Sequence, residues 1–353
     1  MKKYLIFLFL NIFCSSKIYN MCDTGEINKS DVIRITQDKL SQIGMALSGE
    51  ISVKKFEGGA SSTTLNFLVS DDQNKYVLRS FKPNHSDPAT EIANFVIASN
   101  EGYGPHIYFA GPSQEDSQKI IIMEYLEWKS ATHEQLKSDE FLKHVYVMLA
   151  NLLKKIHTGP DFQKSESNYF EYLEKNYLQH NNSIAAFKNL NPNIYEKIEK
   201  IINDLRQVLL VPNLLFRPCH NDINPGNLIY LGNEFKVIDF GSAAQYDPYF
   251  DIAKAAVTVM IRLEKYYKPD LEAELEKVLL ETYLDRQPTE IEKARFYLNK
   301  QLIFIEFGIS DISHISPEII EQYSDRIAAA KFNYVLANCE SQKFSDAIRL
   351  LGN

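Results

Sequence analysis

Cysteine and tryptophan are scarce in this chain, which has 353 residues and contains four Cys and one Trp. The cysteines show no paired-ligand spacing, so neither a structural zinc site nor a disulfide framework is indicated. Positive charge is in deficit as well, because the formal net charge is −8 at pH 7. Proteins that bind nucleic acid present a basic face, so this charge argues against a nucleic-acid partner. The sequence also has no internal repeat and no low-complexity tract.

The N-terminal segment, residues 1–22, is the nearest approach to a long apolar run. A Met-Lys-Lys start is followed by largely apolar residues from 4 to 13, as in the n-region and h-region of a signal peptide. This run is too short to span a bilayer as a helix, so we predict no stable membrane span. Three interpretations stay open: an export signal, a membrane-surface anchor, or an upstream start codon with Met21 as the working start.

The rest of the composition is that of a globular protein. Hydrophobic residues make up 45% of the chain and aromatic residues 12%, which is not typical of a disordered protein. A chain of this length can form two sub-domains, each with its own core. We predict a first lobe over residues 23–126 and a second lobe over residues 127–353.

The most informative stretch is residues 219–241, which read CHNDINPGNLIYLGNEFKVIDFG. It places Asp222 two residues after His220, Asn227 five residues later, and Asp239 at the end of an apolar run. A phosphoryl-transfer site needs a carboxylate that orients the acceptor hydroxyl and takes its proton, together with hard oxygen ligands for Mg²⁺. Asp222 is the candidate catalytic base, and Asn227 and Asp239 are the candidate metal ligands.

The spacing within this stretch predicts a small hairpin. Residues 224–226 form a turn, and residues 228–230 and 235–238 are short apolar strands separated by Gly232-Asn233, a hairpin signal. The three candidate side chains would then lie near one end of the hairpin. The alternative is a surface loop with a carboxylate that caps a strand.

This order of residues resembles that of the kinase-like phosphotransferases. The sequence Asp-Phe-Gly, here Asp239-Phe240-Gly241, also occurs in protein kinases, where a long activation segment follows it. In this chain a helical pattern opens after only residues 242–249. The compact form is similar to the family of choline/ethanolamine kinases and aminoglycoside phosphotransferases. The His-Asn-Asp and Phe-Asp-Ile-Ala sequences are most similar to those of choline kinases.

The resemblance extends over residues 50–310 and is strongest at residues 219–253. It implies an α+β, protein-kinase-like fold with an antiparallel-sheet N-lobe, which carries one main helix, and a mostly helical C-lobe. It also implies that the first lobe binds ATP and that the second holds the catalytic loop and the acceptor. His220 and Asp251 are implied as structural supports, Asp251 bracing the catalytic loop from below. The alternative for Asp251 is a helix N-cap.

A run of small residues marks the candidate phosphate loop of the first lobe. Strand patterns at residues 50–57 and 65–70 flank it, and small side chains there let backbone N–H groups approach phosphate closely. The candidate contacts are Gly58, Gly59, Ser61, Ser62 and Thr63. An ordinary hairpin loop is the alternative.

Arg79, near the end of a strand pattern at residues 75–81, is a candidate phosphate-binding residue. Protein kinases use a Lys in this strand, which pairs with the phosphates and with a Glu on the next helix. By resemblance to choline kinases Arg79 takes this place, and Glu91 is its partner on a helix capped by Asp87. The alternative is a solvated surface pair. The resemblance also makes residues 120–126 the hinge at the adenine, with Glu124 and Leu126 as its neighbours.

The residue pattern of the C-terminal half predicts a helical lobe. By resemblance, this lobe holds the acceptor. Choline kinases place Trp residues shortly after Asp-Ile-Ala, but this chain continues with Lys254-Ala255-Ala256-Val257, which argues against choline itself. Other aromatic and acidic residues could rebuild a pocket for an ammonium group: Tyr246, Tyr249, Phe304, Glu306 and Phe307. A helical aromatic stripe that belongs to the core is the alternative.

The predicted function is transfer of the γ-phosphoryl group from ATP, with Mg²⁺, to a hydroxyl of a small, amine-bearing and hence cationic acceptor, as in choline/ethanolamine kinases. An aminoglycoside-type phosphotransferase and a non-catalytic nucleotide-binding module are the alternatives. ATP chemistry favours the cytoplasm, while the signal-like N-terminus leaves export or membrane association open. The sequence carries no signal for the oligomeric state.

Overall fold

The computed structural model describes residues 28–56, 63–113, 119–163, 169–178, 181–210, 216–263 and 269–352. An N-lobe with a five-stranded antiparallel sheet adjoins a C-lobe that is mostly helical, so the predicted kinase-like α+β fold is confirmed. The signal-like segment lies outside the described residues. Among the described helices, none is long and apolar enough to cross a membrane.

The N-lobe sheet has the strand order β1-β2-β3-β5-β4, with every neighbouring pair antiparallel. Its elements are α1 (Lys29–Gln42), β1 (Ser52–Lys55), β2 (Thr64–Ser70), β3 (Lys75–Phe81), α2 (Pro88–Asn100), β4 (Ile107–Pro112) and β5 (Lys119–Glu124). Because β3 is the central strand, Arg79 lies between Asn66 of β2 and Ile121 of β5. The sheet therefore carries the candidate phosphate-binding residue in its middle.

Helix α2 starts and stops where local signals predict. The Asp87 side chain accepts a hydrogen bond from the Thr90 N–H at 3.1 Å, and Pro88 occupies the first turn, where its missing N–H is harmless. The chain turns away at Gly102, whose φ of +71° suits a residue without a Cβ atom. This start places Glu91 in the first turn of the helix.

Asp71 stabilises the turn between β2 and β3. Its carboxylate accepts hydrogen bonds from the backbone N–H groups of Ser48 at 2.9 Å, Gln73 at 2.8 Å and Asn74 at 2.5 Å. These bonds favour the charged form and lower the pKa of Asp71 to about 2.

We expect Asp71 to make the stability of the protein depend on acid pH. Its pKa is depressed in the folded state, so its contribution is present above the unfolded value of 3.8 and is lost as the pH falls towards about 2. Thermal unfolding of wild type and Asp71→Ala should give midpoints that differ most above pH 4 and converge near pH 2. Asp71→Asn, which keeps an acceptor oxygen but does not titrate, is the control. A difference between wild type and Asp71→Ala that does not change with pH would contradict this role.

The C-lobe is built from ten α-helices in the described ranges, two short strand pairs and a π-helical turn. The helices are α3 (His133–Lys137), α4 (Asp139–His157), α5 (Tyr169–Leu173), α6 (Asn182–Leu190), α7 (Pro192–Leu209), α8 (Pro248–Arg262), α9 (Pro269–Leu284), α10 (Glu290–Ser313), α11 (Pro317–Cys339) and α12 (Gln342–Gly352). The strand pairs are β6 (Arg217–Cys219) with β9 (Ala244–Tyr246), and β7 (Leu228–Tyr230) with β8 (Phe235–Val237). Antiparallel β7 and β8, with Gly232 at φ +101° between them, confirm the predicted hairpin.

One continuous core joins the two lobes beside the hairpin. Phe240, directly after the hairpin, is fully buried and makes an edge contact with Phe95 of α2 at a ring-centroid distance of 4.9 Å. The Val237 N–H donates to the Tyr103 carbonyl at 2.8 Å, and the Asn94 side chain donates to the Ala243 carbonyl at 3.4 Å. Helix α2 and the hairpin are therefore held together, which fixes Glu91 relative to Asp239.

Candidate active site

Residues 220 and 221 of the candidate catalytic loop are held in place by Asp251. This carboxylate is fully buried in α8 and accepts hydrogen bonds from the backbone N–H groups of His220 and Asn221, each at 2.6 Å. The N-cap of α8 is Asp247, whose side chain accepts from the Tyr249 N–H at 3.0 Å. Asp251 therefore lies one turn inside the helix and is not its N-cap.

The His220 ring links the two ends of the site. Its Nε2–H donates to the Ile238 carbonyl at 3.0 Å, and its Nδ1 accepts from the Asp222 N–H at 3.3 Å. Both contacts require a neutral ring with its hydrogen on Nε2. The ring is buried against Phe240 and fixes the loop next to Asp239 without reaching solvent.

Asp222 projects from this fixed loop towards solvent. Its side chain is 39% exposed, and the Asn227 amide nitrogen donates to its Oδ2 and to its backbone carbonyl, each at 2.9 Å. Lys254 Nζ approaches its Oδ1 at 3.4 Å. An oriented and accessible carboxylate can accept the proton of a bound hydroxyl.

Two residues of the site have a strained backbone. Asn221 and Asp239 have φ of +63° and +67°, and among the described non-glycine residues only Asp285 shares a positive φ. Such a conformation costs about 1–3 kcal/mol and persists where the surroundings over-determine it. The Asn221 side chain meets this condition because it donates to the Ser242 carbonyl at 3.1 Å.

Asp239 and Arg79 meet where the lobes face each other. Arg79 is buried and donates to Glu91 of α2 at 2.5 Å, while the same Nη2 lies 3.5 Å from Asp239 Oδ1. His85 holds the second Glu91 oxygen at 2.8 Å. Gly241 leaves room here, since a Cβ atom on it would lie 3.3 Å from that oxygen. Arg79 and Glu91 are therefore a buried pair, not a solvated one.

The donor set beside Asp222 suits a hard divalent cation. Both hydrogen bonds of the Asn227 side chain use its amide nitrogen, so its amide oxygen is the atom left for a ligand. The Ile238 N–H donates to the Asn227 carbonyl at 2.9 Å, which brings Asn227 next to Asp239, whose side chain is 40% exposed. One carboxylate and one amide oxygen fit Mg²⁺, which takes few protein ligands and completes its shell with phosphate and water.

The remaining nucleotide-site predictions are only partly covered by the described residues. Gly58, Gly59, Ser61 and Ser62 lie outside them, while the Thr63 carbonyl accepts from the Lys82 N–H at 2.8 Å and anchors the end of that loop. Leu126 is partly buried just after β5, and Glu124 is the last residue of that strand.

The Glu124 side chain, at the predicted hinge, forms hydrogen bonds with residues of both lobes. It accepts from the His106 N–H at 2.7 Å and from Lys236 Nζ of β8 at 3.0 Å. Burial opposes ionisation, but these two donors outweigh it and lower the pKa of Glu124 below its ordinary value. The side chain is thus occupied by protein contacts.

Three of the residues suggested as an ammonium pocket have partners within the protein. Tyr246 is buried and stacks on Phe216, and Tyr249 lies beside Glu292, where burial and that carboxylate raise its pKa. Glu306 does reach the site, but its Oε1 lies 3.3 Å from Lys254 Nζ. The core alternative therefore describes Tyr246, and a lysine of the chain itself takes the partner position at Glu306.

Three residues of the site were missed by sequence reasoning. Asn221 and His85 carry no local signal, because their roles depend on partners brought close by folding. Lys254 does carry one, since it is a charged residue inside the apolar run of α8, three positions after Asp251. A charge on the buried face of a helix needs a partner, and this expectation could have identified it.

Known structures with this architecture include small-molecule kinases. A choline kinase from Cryptosporidium parvum Iowa II has a TM-score of 0.64 and 18% identity, over 92% of this chain and 99% of that chain. A choline/ethanolamine kinase family protein from Mesorhizobium loti has a TM-score of 0.62 and 14% identity, over 90% and 99%. Spectinomycin phosphotransferase, in complex with ADP and spectinomycin, has a TM-score of 0.53 and 13% identity, over 93% and 98%. At these identities the similarity establishes the fold.

The sequence comparison establishes the family. No curated protein sequence matches this chain. Residues 52–296, more than half of the chain, match the model of the phosphotransferase enzyme family, and they include the candidate catalytic loop, the hairpin and Arg79. The resemblance drawn from residues 219–253 is thereby confirmed. The chain belongs to the phosphotransferase enzyme family.

Proposed function

We propose that this protein transfers the γ-phosphoryl group of ATP to a hydroxyl of a small molecule, with Asp222 as the catalytic base. The observation that carries the proposal is the position of Asp222. It is accessible on a loop that Asp251 holds, and Asn227 bonds both to the Asp222 side chain and, through its backbone carbonyl, to the N–H of Ile238, the residue before Asp239. A phosphoryl-transfer site requires this combination of base and cation ligands.

In the proposed step, the acceptor oxygen attacks the γ-phosphorus in line with the leaving group. The bond between the acceptor oxygen and phosphorus forms, and the bond from phosphorus to the β,γ-bridging oxygen breaks. ADP leaves with the electron pair, and the hydroxyl proton passes to Asp222. Catalysis then depends mostly on positioning and on neutralisation of charge.

Residues of both lobes supply the charges that ATP needs. Arg79, held by Glu91, would present its guanidinium to the phosphates, and contact of residues 58–63 with the phosphates stays a prediction. Asn227 and Asp239 would hold Mg²⁺, which supplies charge neutralisation at the phosphates when it is bound. The adenine would meet the hinge backbone between Glu124 and Leu126.

For the acceptor we propose a small amine-bearing alcohol. Two of the structural relatives are named as choline or choline/ethanolamine kinases, and the net charge of −8 is compatible with a cationic substrate. An aminoglycoside-type acceptor is the second candidate, supported by the likeness to the spectinomycin phosphotransferase. The absence of Trp from α8 favours ethanolamine-like or aminoglycoside amines over choline.

The test is ADP release from ATP and Mg²⁺ by the full chain and by a version that begins at Met21. The acceptor panel contains choline, ethanolamine, thiamine, sugars and aminoglycosides, and Asp222→Ala is the control. We expect turnover with one amine-bearing class that disappears in the control. ATP binding without turnover on any acceptor would overturn the proposal and favour a nucleotide-binding module.

A further inference from the structure

One face of α8 contacts the catalytic loop residue by residue. Asp251 binds the backbone N–H groups of residues 220 and 221, Lys254 approaches the side chain of Asp222, and the Thr258 hydroxyl lies 3.2 Å from the Ile223 carbonyl. Positions 251, 254 and 258 are spaced by three and four residues, so they lie on the same side of the helix. A single rigid element therefore positions the whole loop from 220 to 223.

Lys254 is the unusual member of this face because it is a buried cation. Its side chain is only 7% exposed, and its Nζ lies 3.3 Å from Glu306 Oε1 and 3.4 Å from Asp222 Oδ1. Burial alone would lower the pKa of Lys254, but the Glu306 and Asp222 carboxylates outweigh it and raise the pKa above its ordinary value. The ammonium is therefore charged beside the candidate base.

We propose that Lys254 is a positioning residue for the phosphoryl transfer: held by Glu306, its ammonium fixes the Asp222 carboxylate and supplies positive charge on the acceptor side of the transferred group. This inference rests on the proposed function and deepens it. Glu306 is the anchor, and Asp222 is the group on which Lys254 acts.

Distances support a role close to the reaction. An acceptor hydroxyl must lie within about 2.6–3.2 Å of its base, and reacting atoms approach to about 3–3.5 Å. Lys254 Nζ lies 3.4 Å from the base, so only the Asp222 carboxylate would stand between it and the attacking oxygen. Arg79 lies 3.5 Å from Asp239 on the metal side, so the two lobes each contribute one buried cation to the site.

Lys254 uses only one oxygen of Glu306. Its Nζ lies on the Oε1 side, and Tyr169 lies beside the same carboxylate, where burial and then Glu306 raise the tyrosine pKa. Within the part of the chain that the structure describes, Glu306 Oε2 is buried and has no hydrogen-bond partner. Glu306 can therefore hold Lys254 through Oε1 and still keep one acceptor oxygen.

The experiment separates a positioning role from simple neutralisation of Glu306. The variants are Lys254→Met, Glu306→Gln and the double variant Lys254→Met/Glu306→Gln, with kcat, the KM for ATP and the thermal midpoint measured for each. Lys254→Met should lower kcat by about 10²-fold, because one fixed charge at the transfer step is lost. Its KM for ATP should change less than about threefold. Its thermal midpoint should fall by more than about 5 °C, because Glu306 stays buried without a cation.

The double variant decides between the two roles. It removes both charges, so its thermal midpoint should return towards that of wild type, while kcat stays low. Recovery of kcat together with stability would overturn the proposal. Lys300 gives a matched control: it is another buried lysine paired with two carboxylates, Glu272 and Glu276. Lys300→Met should lower the thermal midpoint and leave kcat unchanged.

A binding measurement tests the role of Lys254 without an acceptor. Aluminium fluoride bound with ADP and Mg²⁺ imitates the phosphoryl group in transfer, so the double variant should bind this complex at least tenfold more weakly than wild type. Its affinity for ADP alone should change less than threefold. Unchanged binding of both would overturn the proposal for Lys254, even if no acceptor in the panel is turned over. A wild-type chain that binds neither would overturn the proposed function as well.

Discussion

Replacement of Asp222 by Asn is expected to lower kcat for phosphoryl transfer by about 10³-fold, within the range that a general base contributes. The substitution keeps the shape of the side chain and one acceptor oxygen, so the Asn227 contact and the loop can survive. It removes the group that takes the acceptor proton. The KM for ATP should change little, because Asp222 contacts neither Arg79 nor the hinge in this structure.

Steady-state kinetics with the acceptor identified by the panel measure this effect. Circular dichroism and the thermal midpoint of Asp222→Asn show whether the fold is intact. The matched comparison is Asp72→Asn, an exposed aspartate in the turn between β2 and β3, which should retain wild-type kcat. If kcat of Asp222→Asn stays within tenfold of wild type, another residue is the base.

Local signals explain which parts of the fold could be predicted from sequence. Strand β3 and the cap of α2 match their predictions, because the strand has turn residues on its N-terminal side and the helix begins with Asp87 and Pro88. Helix α8 begins at Pro248, two residues before the helical pattern predicted from residue 250, because Asp247 is its N-cap and Asp251 lies inside it.

Elements without a local pattern could not be predicted. Strand β4 is partly buried along nearly its whole length and ends in Gly111-Pro112, so it shows no alternation of apolar and polar residues. It is an edge strand, where proline is tolerated. Strands β6 and β9 have three residues each and pair Cys219 with Ala244, a contact that only the folded C-lobe creates.

The residues of the candidate site also fall into two groups: those that local spacing identifies and those that only folding brings together. Asp222, Asn227 and Asp239 are identifiable from spacing, because the turn and hairpin between them are local. The Glu91 partner of Arg79 is also near in sequence and on the next element. Glu306, in contrast, is 52 residues from Lys254 and on a different helix, so no spacing rule connects them. A buried charge pair between two distant helices depends on which helices pack together, and the spacing of residues in a single sequence does not show that.

Asp251→Ala is expected to destabilise the folded protein by about 3–5 kcal/mol, the loss typical of breaking a buried charged network. The carboxylate is fully buried, accepts from two backbone N–H groups at 2.6 Å each and lies 3.3 Å from His157 Nε2. Alanine leaves those N–H groups without an acceptor, and each unsatisfied buried donor costs about 1–3 kcal/mol. Urea unfolding of both proteins measures the difference.

Asp87→Ala is the matched control because Asp87 is a capping aspartate at a helix start, with its acceptor bond to the Thr90 N–H. This substitution should destabilise the folded protein by about 1 kcal/mol, as the loss of a helix cap does. Asp251→Asn retains one acceptor oxygen, so its destabilisation should lie between those of Asp87→Ala and Asp251→Ala. This variant should stay folded even if Asp251→Ala does not. A loss near 1 kcal/mol for Asp251→Ala would mean that this residue contributes no more than a cap. A loss several times larger, accompanied by a fall in kcat of Asp251→Asn, would mean that the backbone of residues 220 and 221 depends on α8 for the conformation that presents Asp222.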